Sequence, residues 1–248
     1  MNQSNYVVLG ANGGIGAEVC RQLRSQGSQV FLAGRNQNAL IALASDLDSP
    51  SRTVDATSID QVDELLQAAS DAIGTVHGIV NCVGSILLKP AHLTSPAEWH
   101  DVLATNLTSA FATVRAGGKL MRKEGGAIIL LSTAAARIGL PNHEAIAAAK
   151  AGVIGLMQSA AASYASHGVR VNAVAPGLVK TGMTERIWSH EKSAEFSRSM
   201  HAMGRLGEPR DVASLIVWLL RPENDWVTGQ VFGVDGGLST LRVTARSG

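Results

Sequence analysis

Leu9-Gly10-Ala11-Asn12-Gly13-Gly14-Ile15-Gly16 decides the fold. The stretch follows an apolar run at 6–9 and opens a helical pattern at 15–25, so it reads as the turn from a buried strand into a helix. Each glycine has a physical reason. Gly10 ends the strand in a tight turn, while Gly14 and Gly16 leave no side chain where a pyrophosphate and the following helix must approach closely. The helix starting near Ile15 offers free N–H groups and the positive end of its dipole to phosphate. Gly10, Asn12, Gly14, Ile15 and Gly16 are therefore the expected cradle of a dinucleotide.

Working outward, apolar runs at 29–33, 78–81, 127–131, 169–174 and 230–234 read as buried strands, with a weaker one at 52–54. Helical patterns at 59–72, 96–122, 143–166 and 210–220 lie between them. Strands alternating with helices specify an α/β fold, a doubly wound parallel sheet with helices on both faces. No linker, repeat or low-complexity stretch interrupts the order, so 1–248 is expected to be a single domain. The net charge is +1 with both signs interspersed, which argues against nucleic acid or an anionic membrane as partner. There is no apolar run long enough to span a bilayer and no signal-peptide pattern, so a cytoplasmic location is expected. Cys20 and Cys82 have neither metal-ligand nor redox spacing, and no metal is expected.

The end of the second strand bears on the choice of nicotinamide cofactor. Sites selective for NAD place an acid about 20 residues after the loop to hold the ribose hydroxyls. Here Ala33-Gly34-Arg35 offers none. Arg35 can make a bidentate contact to a 2′-phosphate, which favours NADP, or merely cover the adenine of NAD.

Farther along come Asn81-Cys82-Val83-Gly84, Asn106, Ser132-Thr133, Lys150, Pro176-Gly177 and Val234-Asp235-Gly236-Gly237. With the glycine loop, and over about residues 5–238, they resemble the short-chain dehydrogenase/reductase family, notably its 3-oxoacyl reductase-like members. The resemblance implies a Rossmann fold, a nicotinamide dinucleotide and a small-molecule substrate. It places Asp55 and Ala56 beside the adenine, and Asn81, Val83 and Gly84 along its ribose. It gives Lys150 the nicotinamide ribose, and Pro176, Gly177, Val179 and Thr181 the carboxamide and phosphate. Thr133 stands where the family has its substrate-orienting Ser, and Asn106 matches an Asn that holds a helix kink and a water near the lysine. Two positions depart from the pattern: Leu9, often Thr in the family, and Gly13, where NADP-preferring relatives commonly carry Arg or Lys.

A third departure touches catalysis. The family's proton-donating tyrosine stands four residues before its lysine, and here that position is Ile146. The only tyrosines are Tyr6, in the first strand, and Tyr164, about 21 Å along a helix from Lys150. Three readings stay open. His143 shares a helix face with Ile146 and Lys150, at the Tyr-to-Lys spacing of the family's enoyl reductases, and imidazole titrates near neutrality; it equally suits a solvated first-turn residue. A C=C reductase needs only weak help in protonating carbon. A degenerate member would bind dinucleotide without catalysis.

Residues 182–204 correspond to the family's substrate lid. Met183, Ile187, Phe196, Met200 and Met203 recur there at helical spacing beside Trp188, as a Met-rich lid or as an amphipathic pair packed on the core. Glu124 and His167 sit close to where carrier-protein-docking relatives have arginines, with Arg122 and Lys123 only nearby, which weakly disfavours that docking. The helix from His143 carries Ala145, Ala147, Ala148, Ala149, Ala151, Gly152 and Gly155, small residues suited to close helix contact. By resemblance this helix, and the region from 205–209 to 228–230, imply a homotetramer with 222 symmetry.

Overall fold

The computed structural model describes residues 4–242; the ends of the expected 1–248 span, residues 1–3 and 243–248, lie outside the described residues. Seven strands run Asn5–Leu9 (β1), Gln29–Gly34 (β2), Ser51–Thr53 (β3), Gly78–Asn81 (β4), Gly126–Leu131 (β5), Val169–Pro176 (β6) and Val231–Val234 (β7). All pair in parallel, in the order β3-β2-β1-β4-β5-β6-β7. The order runs outward from β1 in one direction and from β4 in the other. Crossovers of opposite sense therefore meet between them, and a crevice opens at the carboxyl ends of these two strands. The expected doubly wound fold is the observed one.

Helices cover both faces: Gly14–Ser25 (α1), Gln37–Asp46 (α2), Ile59–Ile73 (α3), Pro96–Leu103 (α4), Ser109–Leu120 (α5), Glu144–Tyr164 (α6), Glu185–Trp188 (α7), Glu191–Met200 (α8) and Pro209–Leu220 (α9). Side chains alternate across the strands. Val7 and Leu9 join Ile79, Ile128 and Leu130 under α3, α5 and α6, and Val8 joins Val80 and Ile129 under α1, α2 and α9. Because both faces are covered, β4 and β6 are buried at every position, which is why they read as unbroken apolar runs. Helix α6 lies in a stretch, Glu144–His167, apolar enough to cross a membrane (mean hydropathy 1.4). Its Val153, Met157, Ala160 and Ala161 are in the core instead.

Two elements differ from the sequence reading. The helix expected over 96–122 is broken by a π-helical turn, Ala104–Thr108, between α4 and α5. At its centre the buried Asn106 side chain bonds back to the Val102 carbonyl at 3.0 Å, a local competition that disturbs regular helix. Helix α2 was not anticipated. It is short, with only Leu40 and Leu43 buried, and is capped by Asn36 accepting from the Ala39 N–H at 3.1 Å.

Candidate active site

The glycine loop is shaped by contacts that admit no side chains. Gly10 has φ +73°, and a Cβ there would lie 2.8 Å from the Cys82 carbonyl carbon, so the β1–α1 turn crosses directly over the chain leaving β4. A Cβ on Gly16 would run into the Gly10 carbonyl oxygen, and one on Gly14 would lie 2.7 Å from Thr181 Cγ2. The loop, the 82–84 segment and Thr181 thus meet at one place. Gly13 caps α1 without a side-chain bond, which leaves first-turn amides facing the crevice, a fit for phosphate. Asn12 Oδ1 packs on Gly34, where a Cβ would strike it.

At the adenine end, Arg35 is exposed. The Asp55 carboxylate accepts from Thr57 N and Oγ1 at 3.0 and 2.8 Å. These bonds, with a smaller contribution from Arg35, hold it below the usual carboxylate range. Ala56 is buried beside it. Asn81 is also buried: its Nδ2 donates to Thr113 Oγ1 at 2.9 Å, and its Oδ1 accepts from Val83 N at 2.8 Å. Its side chain sets the turn that brings Val83 and Gly84 to the crevice.

Gly84, Asn106 and Lys150 converge. A Cβ on Gly84 would lie 3.1 Å from Asn106 Oδ1 and 3.6 Å from Lys150 Nζ. Asn106 exchanges bonds with Ser85, accepting from its N–H at 3.1 Å and donating to its hydroxyl at 3.0 Å. The buried Lys150 ammonium donates to the Leu131 carbonyl at 2.8 Å. Burial lowers its pKa to about 8, slightly opposed by nearby Cys82, whose own thiol burial pushes up to about 12. Ser132 Oγ donates to the Lys150 carbonyl at 2.9 Å, a bond joining β5 to α6. Thr133 is only weakly engaged, at 3.4 Å from Ala135 N and 3.5 Å from Pro176 O.

Ile146 is buried in an apolar cluster with Val102, Ala145 and Ala149, against Leu87, Leu103 and Leu107. The space around residue 146 is therefore filled, not open. His143 stands at the N-cap of α6 with Nδ1 2.8 Å from the Pro141 carbonyl. If Nδ1 carries the proton of that bond, Nε2 can donate only from the charged ring.

The segment after β6 closes the site. Gly177 N donates to Val234 O at 3.1 Å, Val179 pairs with Gly207, and Trp188 Nε1 donates to Thr181 O at 2.9 Å. In the 182–204 stretch Met183, Phe196 and Met203 are exposed, whereas Ala194 and Ser197 face the body of the fold. Sequence reasoning missed Ser85, whose bonds reach Asn106, distant in the chain, a contact that no spacing signals.

Residues 10–239 match a family model described as enoyl-(acyl carrier protein) reductase. The chain belongs to the short-chain dehydrogenase/reductase family. It is 33% identical over 240 residues to a tropinone reductase homolog of Arabidopsis thaliana, covering 94% of this chain and 91% of that one. It is 32% identical over 235 residues to the 3-oxoacyl-[acyl-carrier-protein] reductase of Vibrio harveyi, covering 94% and 96%. A short-chain type dehydrogenase/reductase of Mycobacterium ulcerans superposes with a TM-score of 0.92 at 29% identity, covering 98% of this chain and 92% of that one. Family membership sets the class, an oxidoreductase of short-chain type.

Proposed function

We propose that this chain is an NADP(H)-dependent reductase acting on the carbonyl of a small apolar or acyl-type substrate, with its proton supplied from somewhere other than residue 146. The observation that carries the reading is the convergence of Gly84, Asn106 and a buried, single-bonded Lys150 beside the glycine cradle. Burying an ammonium is costly, and a fold needing only stability has no use for it. The dinucleotide, when bound, supplies hydride. Gly10, Asn12, Gly14, Ile15 and Gly16 hold its phosphates. Arg35 takes a 2′-phosphate, with Asp55, Ala56, Asn81, Val83 and Gly84 along the adenosine. Lys150 holds the far ribose, and Pro176, Gly177, Val179 and Thr181 hold the carboxamide end. Thr133 orients the substrate oxygen.

Ile146 can neither give nor accept a proton, and its side chain packs among apolar neighbours. The proton comes from His143 as imidazolium or from solvent. Reduction of a C=C bond is the second reading. The enoyl reductase description of the matched family model favours it, as does the apolar packing at Ile146. We also read the chain as one domain with a lid at about 182–204, assembled as a homotetramer.

The test is NADPH oxidation, followed by absorbance, with ketones, ketoacyl thioesters and enones. His143→Ala abolishes turnover if His143 is the acid, and Ile146→Tyr raises ketone reduction by on the order of 10²–10⁴ if only the acid is missing and the apolar neighbours yield to the larger ring. Activity indifferent to both changes selects the solvent-assisted C=C reading. Dinucleotide binding without turnover in any variant rejects the reductase reading. NADPH should bind more tightly than NADH, with Arg35→Ala erasing most of the difference; equal affinities in the parent would reject the cofactor assignment.

A further inference from the structure

His201 follows α8 and is buried. Its ring is bonded at both nitrogens: Nδ1 lies 2.6 Å from the Ser197 carbonyl, and Nε2 accepts from Leu178 N at 3.1 Å. A carbonyl can only accept and a backbone N–H can only donate. The pair therefore fixes a neutral ring with its proton on Nδ1. The contact is tight, since a Cβ on Gly177 would lie 2.6 Å from Nε2 and 3.0 Å from the Asp235 Cα. Backbone bonds anchor the residues on either side of it. Met203 N donates to Gly236 O at 3.0 Å, and Gly207 N to Leu178 O at 2.9 Å. Trp188, ahead of α8, holds the other end of the same loop through Thr181 O. The 182–204 segment thus hangs from residues 177–181 near both of its ends, and His201 is the side chain that makes one of those attachments.

We propose that His201 is a positioning residue that couples the capping segment to loop 177–181, by accepting the Leu178 N–H while donating to the Ser197 carbonyl. The role rests on the reading above that 177–181 faces the nicotinamide end of the dinucleotide. A displacement of the cap is then transmitted to the loop that holds the cofactor, and a bound cofactor in turn orders the cap. An apolar side chain cannot substitute, because it would leave the half-buried Leu178 N–H without its protein acceptor. The ring borders a cavity of about 560 Å³ lined by Leu178, Met203, Arg205 and Asp235 among others, so replacement side chains have room.

The test uses the full chain with His201→Leu, His201→Gln and His201→Asn. The glutamine carboxamide reaches the place of Nε2, whereas the shorter asparagine reaches only that of Nδ1. Amide hydrogen exchange is measured without ligand, and NADPH affinity by fluorescence titration. We expect faster exchange across 178–181 in the Leu and Asn variants, with protection retained in Gln. We expect NADPH binding about tenfold weaker in Leu and Asn and within about twofold of the parent in Gln. Unchanged exchange in both Leu and Asn overturns the coupling. Faster exchange with unchanged NADPH affinity overturns the positioning role, and a Gln variant no better than Leu overturns the hydrogen bond as its cause. If His201→Leu does not fold, the Gln and Asn pair decides alone. A parent protein that binds no dinucleotide overturns the cofactor reading and the positioning role with it, while exchange still reports whether His201 holds the loop.

Discussion

Lys150 sits in the fold at the expense of stability, and pH exposes the cost. The unfolded chain releases this proton near 10.5 and the folded chain near about 8. Below about 8 both states are protonated and the full burial cost is present. Between about 8 and 10.5 the unfolded state binds more protons, so stability rises with pH in that window. Lys150→Met removes the buried charge, offset by loss of the Leu131 bond. The variant should be more stable than the parent at neutral pH by on the order of 2 kcal/mol, with the gap closing as pH climbs through the window, while NADPH affinity falls. Thermal melting across pH, paired with titration of NADPH, checks both halves. A variant less stable than the parent at neutral pH would mean that the ammonium is no burden there. Sequence made the identity of residue 146 plain but not its surroundings. Leu87, Val102, Leu103 and Leu107 reach Ile146 from outside its own helix, and so periodicity along α6 could not find them.

At the scale of elements, legibility follows burial. Strands β4, β5 and β6 were readable because helices on both faces demand apolar residues at nearly every position. A kink at Asn106 was implied by the resemblance alone; its π-helical form was not readable, because 96–122 is helical in composition throughout. Asn106→Ala should leave the Ser85 N–H without its acceptor and the Val102 carbonyl without that donor. The expected cost is about 1–3 kcal/mol, seen as a lower urea midpoint at unchanged slope. NADPH should also bind more weakly, since Gly84 rests against the same side chain. An unchanged midpoint would show that water or a helical rearrangement satisfies these groups. The shape of the glycine loop, by contrast, was legible in the sequence. Gly10 and Gly16 answer to backbone close by, and a clash with backbone leaves a sequence no alternative, whereas Gly14 meets the Thr181 side chain.

For the whole molecule, the small residues of α6 divide by role. Gly152 faces a neighbour within the chain, where a Cβ would lie 2.9 Å from Leu107 Cδ2, whereas Gly155 has nothing within 4 Å. Mid-helix glycine costs ~1 kcal/mol against alanine, so at Gly155 the return must come from outside the chain. Together with the exposed Phe111 of α5, this supports assembly through these helices. Gly155→Glu should therefore fold as well as the parent or better, yet sediment at half the mass or less; an unchanged mass would remove α6 from the interface.

The two borders of the sheet are unequal. At one margin β3 has three residues, all exposed, with Arg52 bonded to Glu64, a short and charged rim that discourages strand addition. At the other, β7 offers Val231, Phe232 and Val234 only half covered. A polymer needs two adhesive ends per unit, and this sheet has one. Two copies joined β7 to β7 would spend the adhesive margin of each, so growth along the sheet stops at a pair and fibres cannot propagate by that route.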